Sequence, residues 1–257
     1  MKAKLLSSLY YCRTMGLFVI VWWLLSLWIN NRLLLPSPYI VTIALWDLFV
    51  RQSFLVDILI SLRRLAIGYI LAASIGIPLG FTLGRSSRME SIVSPVVEVL
   101  RPISPIAWIP IAMYLFGVGD GLALYVIFYG AFFQFLLNTI AGVKSVDKKL
   151  VEVSLTMGAN RWMIIREVIL PGTLPLIIVA ARLAMAAAWM SIIAAELVGA
   201  PNGLGFKIEW AHSMLLSESI VAGMVTIGFL GYLSDVFIRN IGDRMLPWRK
   251  TYYGLGY

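Results

Sequence analysis

Long apolar stretches alternate with short polar ones along almost the whole 257-residue chain. A helical membrane crossing requires about 20 mostly apolar residues, and six stretches are candidates for such crossings. The predicted crossings are residues 16–30, 62–83, 103–116, 122–143, 173–198 and 219–239. The pattern therefore predicts an all-α, polytopic membrane protein with about six transmembrane helices, organised as one domain over residues 1–257.

The first apolar stretch resembles a signal peptide, because the basic residues Lys2, Lys4 and Arg13 precede it. A cleaved signal peptide ends in a small-residue site, whereas Trp-Ile-Asn-Asn stands at residues 28–31. We therefore expect a retained first transmembrane helix.

The third stretch is short and rich in proline, with Pro102, Pro105 and Pro110 near its start. Proline inside a membrane helix frees backbone carbonyls, which neighbouring groups or water must then satisfy. The segment is either a kinked helix beside a cavity or a helix that begins late, after a proline-rich elbow.

Two further segments are too interrupted to cross a membrane. Residues 33–60 predict an amphipathic helix at the outer interface, and residues 89–100 predict a similar elbow on the inner side. We find no internal repeat, so the sequence does not suggest a duplicated secondary transporter.

Composition strengthens the membrane assignment. The chain is 60% hydrophobic and 13% charged, whereas soluble domains average about 45–50% apolar and about 25% charged residues. The net charge of +8 could indicate nucleic acid binding, but cytoplasmic loops of membrane proteins also collect Lys and Arg. With the N-terminus inside, fourteen of the 21 basic residues lie on inner segments and five on outer ones. We therefore expect both termini in the cytoplasm and no nucleic acid partner.

Candidate chemistry is sparse. A single Cys and a single His leave no disulfide within the chain and no multi-histidine metal site, so we expect no metal and no cofactor. The Gly-rich residues 199–206 lack the Lys-Ser/Thr of a phosphate-binding loop, and no such pair follows a glycine elsewhere. We therefore expect that this chain does not hydrolyse ATP.

One polar segment interrupts the apolar pattern on the predicted inner side, with the sequence EVSLTMGANRWMIIREVILP at residues 152–171. It predicts a short helix, a tight turn at Gly158, an N-cap at Asn160 and a second helix that Pro171 ends. Trp162, Ile165 and Ile169 are spaced to share one face of that second helix. The segment is predicted to be a protruding helix–turn–helix.

This segment resembles the EAA loop of ABC importer permeases, the binding-protein-dependent transport system inner-membrane components. The family pattern places Glu, Gly, Leu and Pro where this chain has Glu152, Gly158, Leu170 and Pro171, while Val153 and Ser154 replace two alanines. The resemblance extends over about residues 35–248. Segments 101–120, 138–147, 170–189 and 195–206 are similar to the nitrate, sulfonate and taurine branch.

The resemblance implies a type I ABC importer permease fold in the bacterial inner membrane. It implies four kinds of neighbour: two ATP-binding subunits, an extracytoplasmic substrate-binding protein, a second permease copy and the lipid bilayer. The loop at about 147–171 would couple to the ATP-binding subunits through Glu152, Gly158, Ala159, Arg161, Trp162, Ile165, Arg166 and Pro171. The transported solute would be a taurine-, sulfonate-, nitrate- or bicarbonate-type anion.

A charged residue interrupts the fifth predicted crossing. Arg182 lies eleven residues after Pro171, about 16 Å along a helix and therefore near the middle of the bilayer. A charge there costs at least about 2.5–3.5 kcal/mol, so Arg182 either attracts an anionic substrate or pairs with a carboxylate or carbonyl. Met185 and Trp189 share its face, where they either pack in the core or contact the substrate. Arg182, Met185, Trp189 and Pro105 are our candidates for the translocation pathway.

A stand-alone, ion-coupled secondary transporter is the main alternative. It would need an acidic residue within the membrane or discontinuous sodium-binding helices. The acidic residues near the crossings stand at their ends instead, at Glu98, Asp120, Glu196 and Asp235, and Glu196 is expected to be exposed at the outer rim. A membrane enzyme would need a polar constellation on one face, and the sequence offers none.

Overall fold

The structure is a computed structural model that describes the backbone of residues 2–51 and 54–246 and the side chains of residues 13–50 and 54–246. The described residues form helices and no strands, which confirms the all-α prediction. In chain order the helices are α1 Lys2–Ile29, α2 Pro38–Arg51, α3 Phe54–Arg85, α4 Ser87–Leu100, α5 Ile109–Phe116, α6 Asp120–Lys144, α7 Lys148–Thr156, α8 Arg161–Ile164, α9 Leu170–Gly199, α10 Leu204–Ser213 and α11 Ser217–Met245. The side chains of Lys2 and Lys4, and the whole of Arg249 and Lys250, lie outside the described residues.

Four of the predicted crossings correspond to helices that are long and apolar enough to span a membrane. These are α3, α6, α11 and one helix of 39 residues that runs from Arg161 to Gly199 and contains α8 and α9. The helices begin earlier than predicted at the helix of 39 residues, which starts at Arg161 and not near residue 173, and at α3, which starts at Phe54 and not near residue 62. The residues between 54 and 62 are also apolar, and Asp57 stands in the first turn, where a negative charge favours a helix.

The third predicted crossing is a broken helix. The pair formed by α4 and the segment Pro105–Phe116 bends by 85° and passes as a fifth span only when its two parts are taken together. A short 3₁₀ turn, Pro105–Trp108, leads into α5. At the first predicted crossing, the structure has a shorter apolar helix over Arg13–Ile29.

The described chain divides into two compact units. One unit comprises residues up to Leu59 together with Asn202–Gly228, and it contains α1, α2 and α10. Within it, the Trp22 indole N–H donates to the Pro36 carbonyl at 3.2 Å, and the Ser217 hydroxyl donates to the Leu33 carbonyl at 2.7 Å. The Gly203 N–H donates to Asp57 at 3.0 Å, which ties the start of α10 to the start of α3. The stretch before Ser217 contains α10, a helix of ten residues.

The second unit, Ile60–Pro201 and the residues from Phe229 onward, contains the main apolar core. Helix α6 lies in its centre and packs antiparallel to α9, and the Gly119 N–H donates to the Gly199 carbonyl at 2.9 Å where the two helices meet. Small residues on α3 face α6 closely. A Cβ atom added to Gly80, for example, would lie 2.7 Å from the Leu136 carbonyl oxygen. Such small-residue interfaces let helix backbones approach one another in membranes.

Candidate functional site

The predicted helix–turn–helix is present, and its turn is set by local sequence. Helix α7 begins after Asp147, whose side chain accepts from the Lys149 N–H at 2.9 Å. Two backbone hydrogen bonds end α7. The Ala159 N–H donates to the Ser154 carbonyl and the Gly158 N–H donates to the Leu155 carbonyl, both at 3.0 Å. This Schellman arrangement needs a left-handed residue, and Gly158 has φ +82°. The predicted turn at Gly158 is confirmed.

The second helix also begins as predicted, but it does not end at Pro171. The Asn160 side chain accepts from the Met163 N–H at 2.8 Å, which confirms the N-cap. The helix then continues to Gly199 through a π-helical segment, Ile165–Ile169, where the Leu170 N–H donates to the Ile165 carbonyl. A π-turn widens the backbone just before the proline, which has no N–H to donate. The prediction that Pro171 stops the helix was therefore wrong.

The surface of this hairpin is apolar at its exposed end. The Trp162 side chain is 69% exposed, and Val153, Leu155, Met157 and Met163 are also exposed. Ile165 and Ile169 are half-buried and line a cavity of about 320 Å³ together with Val151, Leu155, Arg161, Ile164 and Arg85. Trp162 is not among the residues that line this cavity, whereas Ile165 and Ile169, which we expected to share its face, both line it.

The charged and small residues of the hairpin lie around this apolar surface. Glu152 and Arg161 are exposed, and Ala159 is half-buried beside the turn. Arg166 is exposed and lies 3.8 Å from the Glu167 carboxylate. The hairpin therefore presents a tryptophan, several aliphatic side chains and charges of both signs.

Arg182 is held by a carboxylate. Its Nε donates to Asp235 Oδ1 at 2.7 Å and its Nη2 donates to Oδ2 at 3.2 Å, while Arg239 donates to the same carboxylate at 2.7 Å. Nearby, the Trp189 indole N–H donates to the Ser234 hydroxyl at 3.3 Å, and Trp189 is buried. Met185 is half-buried. The structure thus has the carboxylate pairing that we left open for Arg182.

Pro105 lies elsewhere, at a cavity of about 260 Å³ beside the break between α4 and α5. The lining comes from the break, from the middle of α6 and from α9, and includes Arg101, Ser104, Pro105, Gln134 and Ser191. Arg182, Met185 and Trp189 are not among the lining residues. Of our four pathway candidates, the structure brings only Pro105 to this cavity.

A buried charge network at the far end of α9 was missed by the sequence analysis. Glu196 is 1% exposed, accepts from the Ser61 hydroxyl at 2.8 Å and pairs with Arg64 at 3.0 Å. Arg64 also pairs with Asp120 at 2.6 Å, and Arg63 bonds to the same carboxylate. The expected rim exposure of Glu196 was therefore wrong. Its position near a helix end is compatible with burial because α3 supplies a partner.

Arg101, which lines the cavity beside Pro105, was given no role in the sequence-based prediction. The signal that could have found it is its place immediately before a proline-rich break. Such a break leaves backbone groups without helical partners, and in a membrane these face protein or water.

A family model described as the binding-protein-dependent transport system inner membrane component matches residues 76–247, which is more than half of the chain. The chain is 37% identical to a putative ABC transporter permease of Methanocaldococcus jannaschii, covering 91% of this chain and 90% of that protein. It is 31% identical to the taurine transport system permease of Escherichia coli, covering 91% and 88%. It is 30% identical to a nitrate import permease of Synechococcus elongatus, covering 95% and 92%.

Among solved structures, the fold is similar to a chain of the MetNI methionine ABC transporter in an inward-facing conformation. The TM-score is 0.65 at 22% identity, with 76% of this chain and 97% of that chain covered. At this identity the likeness shows the fold alone, and it confirms the expected type I importer architecture. Together with the family match, it shows that this chain belongs to the binding-protein-dependent inner membrane components and is a multi-pass permease subunit of an ABC importer.

Proposed function

We propose that the chain imports a small anion from an extracytoplasmic binding protein, driven by two separate ATP-binding subunits that dock on the hairpin of residues 147–171. The observation that carries this proposal is the exposed Trp162 on a rigidly capped hairpin. Buried tryptophan anchors are a common source of affinity at protein interfaces. An apolar side chain so exposed on a polar segment favours a protein partner over solvent.

The continuous helix from Arg161 to Gly199 suggests how docking is converted into movement. At 1.5 Å per residue its 39 residues extend over about 58 Å, from the hairpin through the whole membrane-spanning part. Movement of Trp162 by a partner would therefore reach Arg182 and Ser191 without an intervening loop. Closure of the ATP-binding subunits would shift this helix and alternate access between the two sides of the membrane.

Two copies of the chain form the complete pathway in this proposal. The sequence contains no internal repeat, so one chain supplies one half of a two-fold assembly. We place the chain in the bacterial inner membrane as a single permease domain over residues 1–257. Both termini and the hairpin face the cytoplasm, because most Lys and Arg residues then lie inside.

The proposed solute class follows from the relatives. The Escherichia coli relative is named for taurine and the Synechococcus elongatus relative for nitrate. Both solutes carry an oxyanion group, so we propose a sulfonate-, nitrate- or bicarbonate-type solute. In this proposal, the binding protein selects the solute before the solute reaches the permease.

The docking proposal is tested by replacing Trp162 with alanine in the chain co-expressed with its ATP-binding subunits. Loss of an interface anchor costs about 2 kcal/mol or more, so affinity for those subunits should fall at least about thirtyfold. Trp46→Ala is the matched control, because Trp46 is 74% exposed on α2, which belongs to the other compact unit. Equal co-purification of both variants would refute docking at this hairpin.

The solute class is tested in proteoliposomes that contain the full transporter. The cognate binding protein is loaded in turn with taurine, nitrate, bicarbonate and an uncharged analogue, and ATP hydrolysis and uptake are measured. We expect stimulation by an anion. Stimulation by the uncharged solute alone would contradict the anion proposal, and uptake that persists with inactive ATP-binding subunits would favour a secondary transporter.

A further inference from the structure

The cavity beside Pro105 lies near the middle of the membrane-spanning helices. Gly130 is ten residues from the start of α6 and Ser191 is eight residues from the end of α9, which places them about 15 and 12 Å from the end where these helices meet. The hydrocarbon core is about 30 Å thick. A cavity at this depth in a crossing bundle is therefore near the midplane.

At the break in the third crossing, other groups of the protein satisfy the backbone carbonyl at the end of α4. The Leu100 carbonyl at the end of α4 accepts from the Ile103 N–H at 3.1 Å and from the Tyr129 hydroxyl at 2.6 Å. Irregular backbone in a membrane is tolerated where protein groups satisfy it or where it lines a water-filled cavity. Here Tyr129 satisfies the backbone and also lines the cavity.

Arg101 brings an uncompensated charge to this cavity. Within the part of the chain that the structure describes, its guanidinium makes no ion pair or hydrogen bond, in contrast to Arg64 and Arg182. An intramembrane charge is costly and rarely faces lipid, so it faces a water-filled path or an anion. Arg101 is exposed on the open side of the cavity, as are Ile106 and Met190.

The other polar groups of the cavity add hydrogen-bond donors. The Gln134 amide makes no hydrogen bond within the described residues, and an amide carries two N–H donors. The Ser104 oxygen accepts from the Ile106 N–H at 3.4 Å, which leaves its own hydrogen free to donate. The Tyr129 and Phe133 side chains form one wall of the cavity, and their ring centroids lie 5.2 Å apart in a T-shaped contact.

We propose that Arg101, Gln134 and Ser104 form a mid-membrane binding site for the oxyanion head group of the transported solute. A planar guanidinium binds oxyanions in a bidentate manner, and neutral donors on the opposite side fix their orientation. This inference rests on the proposed import of an anion and assigns its recognition within the membrane to Arg101 and not to Arg182. Access to the site can alternate because the neighbouring α9 is the helix that continues from the hairpin.

A charge-selective labelling experiment tests the site and works whichever anion the transporter carries. In the complete transporter, Cys12→Ser removes the native cysteine and Ala187→Cys places a thiol in the cavity wall. Two impermeant reagents are compared, sulfonatoethyl methanethiosulfonate and trimethylammonioethyl methanethiosulfonate. Relative to free cysteine, we expect the anionic reagent to be favoured about tenfold.

The same ratio is then measured in three Arg variants. Arg101→Gln should abolish the preference, and Arg101→Lys should retain most of it. Arg88→Gln should leave it unchanged, because Arg88 lies exposed at the opposite end of α4. Gln134→Leu should lower anion uptake several-fold with the charge in place, which provides a second measurement if Arg101→Gln fails to assemble.

The outcomes separate this inference from the proposed function. Equal reaction of both reagents, or no reaction in a transporter that imports its anion, would overturn the site while the transport proposal stands. A transporter that imports only an uncharged solute would overturn the proposed solute class, whatever the labelling shows. Anionic preference that depends on Arg101, together with protection by taurine or nitrate, would support the site.

Discussion

Two arginines in the same compact unit lie in opposite surroundings. Arg64 is 2% exposed and pairs with both Glu196 and Asp120, so its charge is neutralised within the chain. Arg101 lines an open cavity and pairs with no carboxylate of the described residues. The same side chain thus stabilises helix packing at one place and leaves a positive charge available to a ligand at the other.

The two arginines differ in their carboxylate partners, because Arg64 has two and Arg101 has none among the described residues. Arg182 is intermediate, because it has a bidentate partner but remains 44% exposed. An arginine whose charge is balanced by a nearby carboxylate attracts an anionic solute less strongly than one without such a partner. The comparison predicts a separation between variants that damage folding and variants that damage transport.

The largest effect is expected when the Arg64 network is broken. Glu196→Leu leaves a buried guanidinium with one partner fewer and removes the acceptor of Ser61, and the loss of one member of a buried pair costs about 3–5 kcal/mol. The purified permease should therefore unfold at a clearly lower temperature. Glu98→Leu is the control, since Glu98 is exposed on α4. Equal unfolding temperatures for the two variants would contradict a structural role for the network.

Arg101→Met should show the opposite behaviour. Hydrogen bonds to charged groups contribute about 1.5–3 kcal/mol, so anion uptake should fall at least about tenfold. No carboxylate of the described chain loses its partner, and the unfolding temperature should therefore stay the same or rise. A drop in unfolding temperature comparable to that of Glu196→Leu would place Arg101 with the structural arginines.

The smallest effect is expected at the partly exposed Arg182–Asp235 pair. A double-mutant cycle with Arg182→Ala and Asp235→Ala should give a smaller loss of stability than Glu196→Leu, because Asp235 keeps Arg239 as a second partner when Arg182 is removed. If Arg182 is structural, uptake lost in Arg182→Ala should be partly restored by adding Asp235→Ala. A double variant as inactive as Arg182→Ala would instead support Arg182 as the attractor of the anion.

Local sequence predicted the turn and the N-cap of the hairpin, but not the course of its second helix. The Gly158 turn and the Asn160 cap depend on conformational preferences and hydrogen bonds within a few residues, which the sequence contains in full. The stop at Pro171 was wrong because a π-turn can accommodate a proline within a longer helix.

The structure of the broken third crossing could be predicted from the sequence only in part. Its prolines predicted either a kink beside a cavity or a late helix start, and the structure contains a late helix start and a cavity together. The sequence could not choose, because the carbonyl freed at Leu100 is satisfied by Tyr129, a residue 29 positions away.

By itself, the sequence determined that this is an all-α membrane protein of the ABC importer permease family with a protruding hairpin. Hydropathy fixes membrane helices because every backbone polar group in lipid must be satisfied within the segment. Only the tertiary structure decided which arginines are neutralised, since Glu196, Asp120 and Asp235 reach their partners from helices that are distant in sequence. The cost of a buried charge depends on those partners, and therefore on packing between helices that no local pattern specifies.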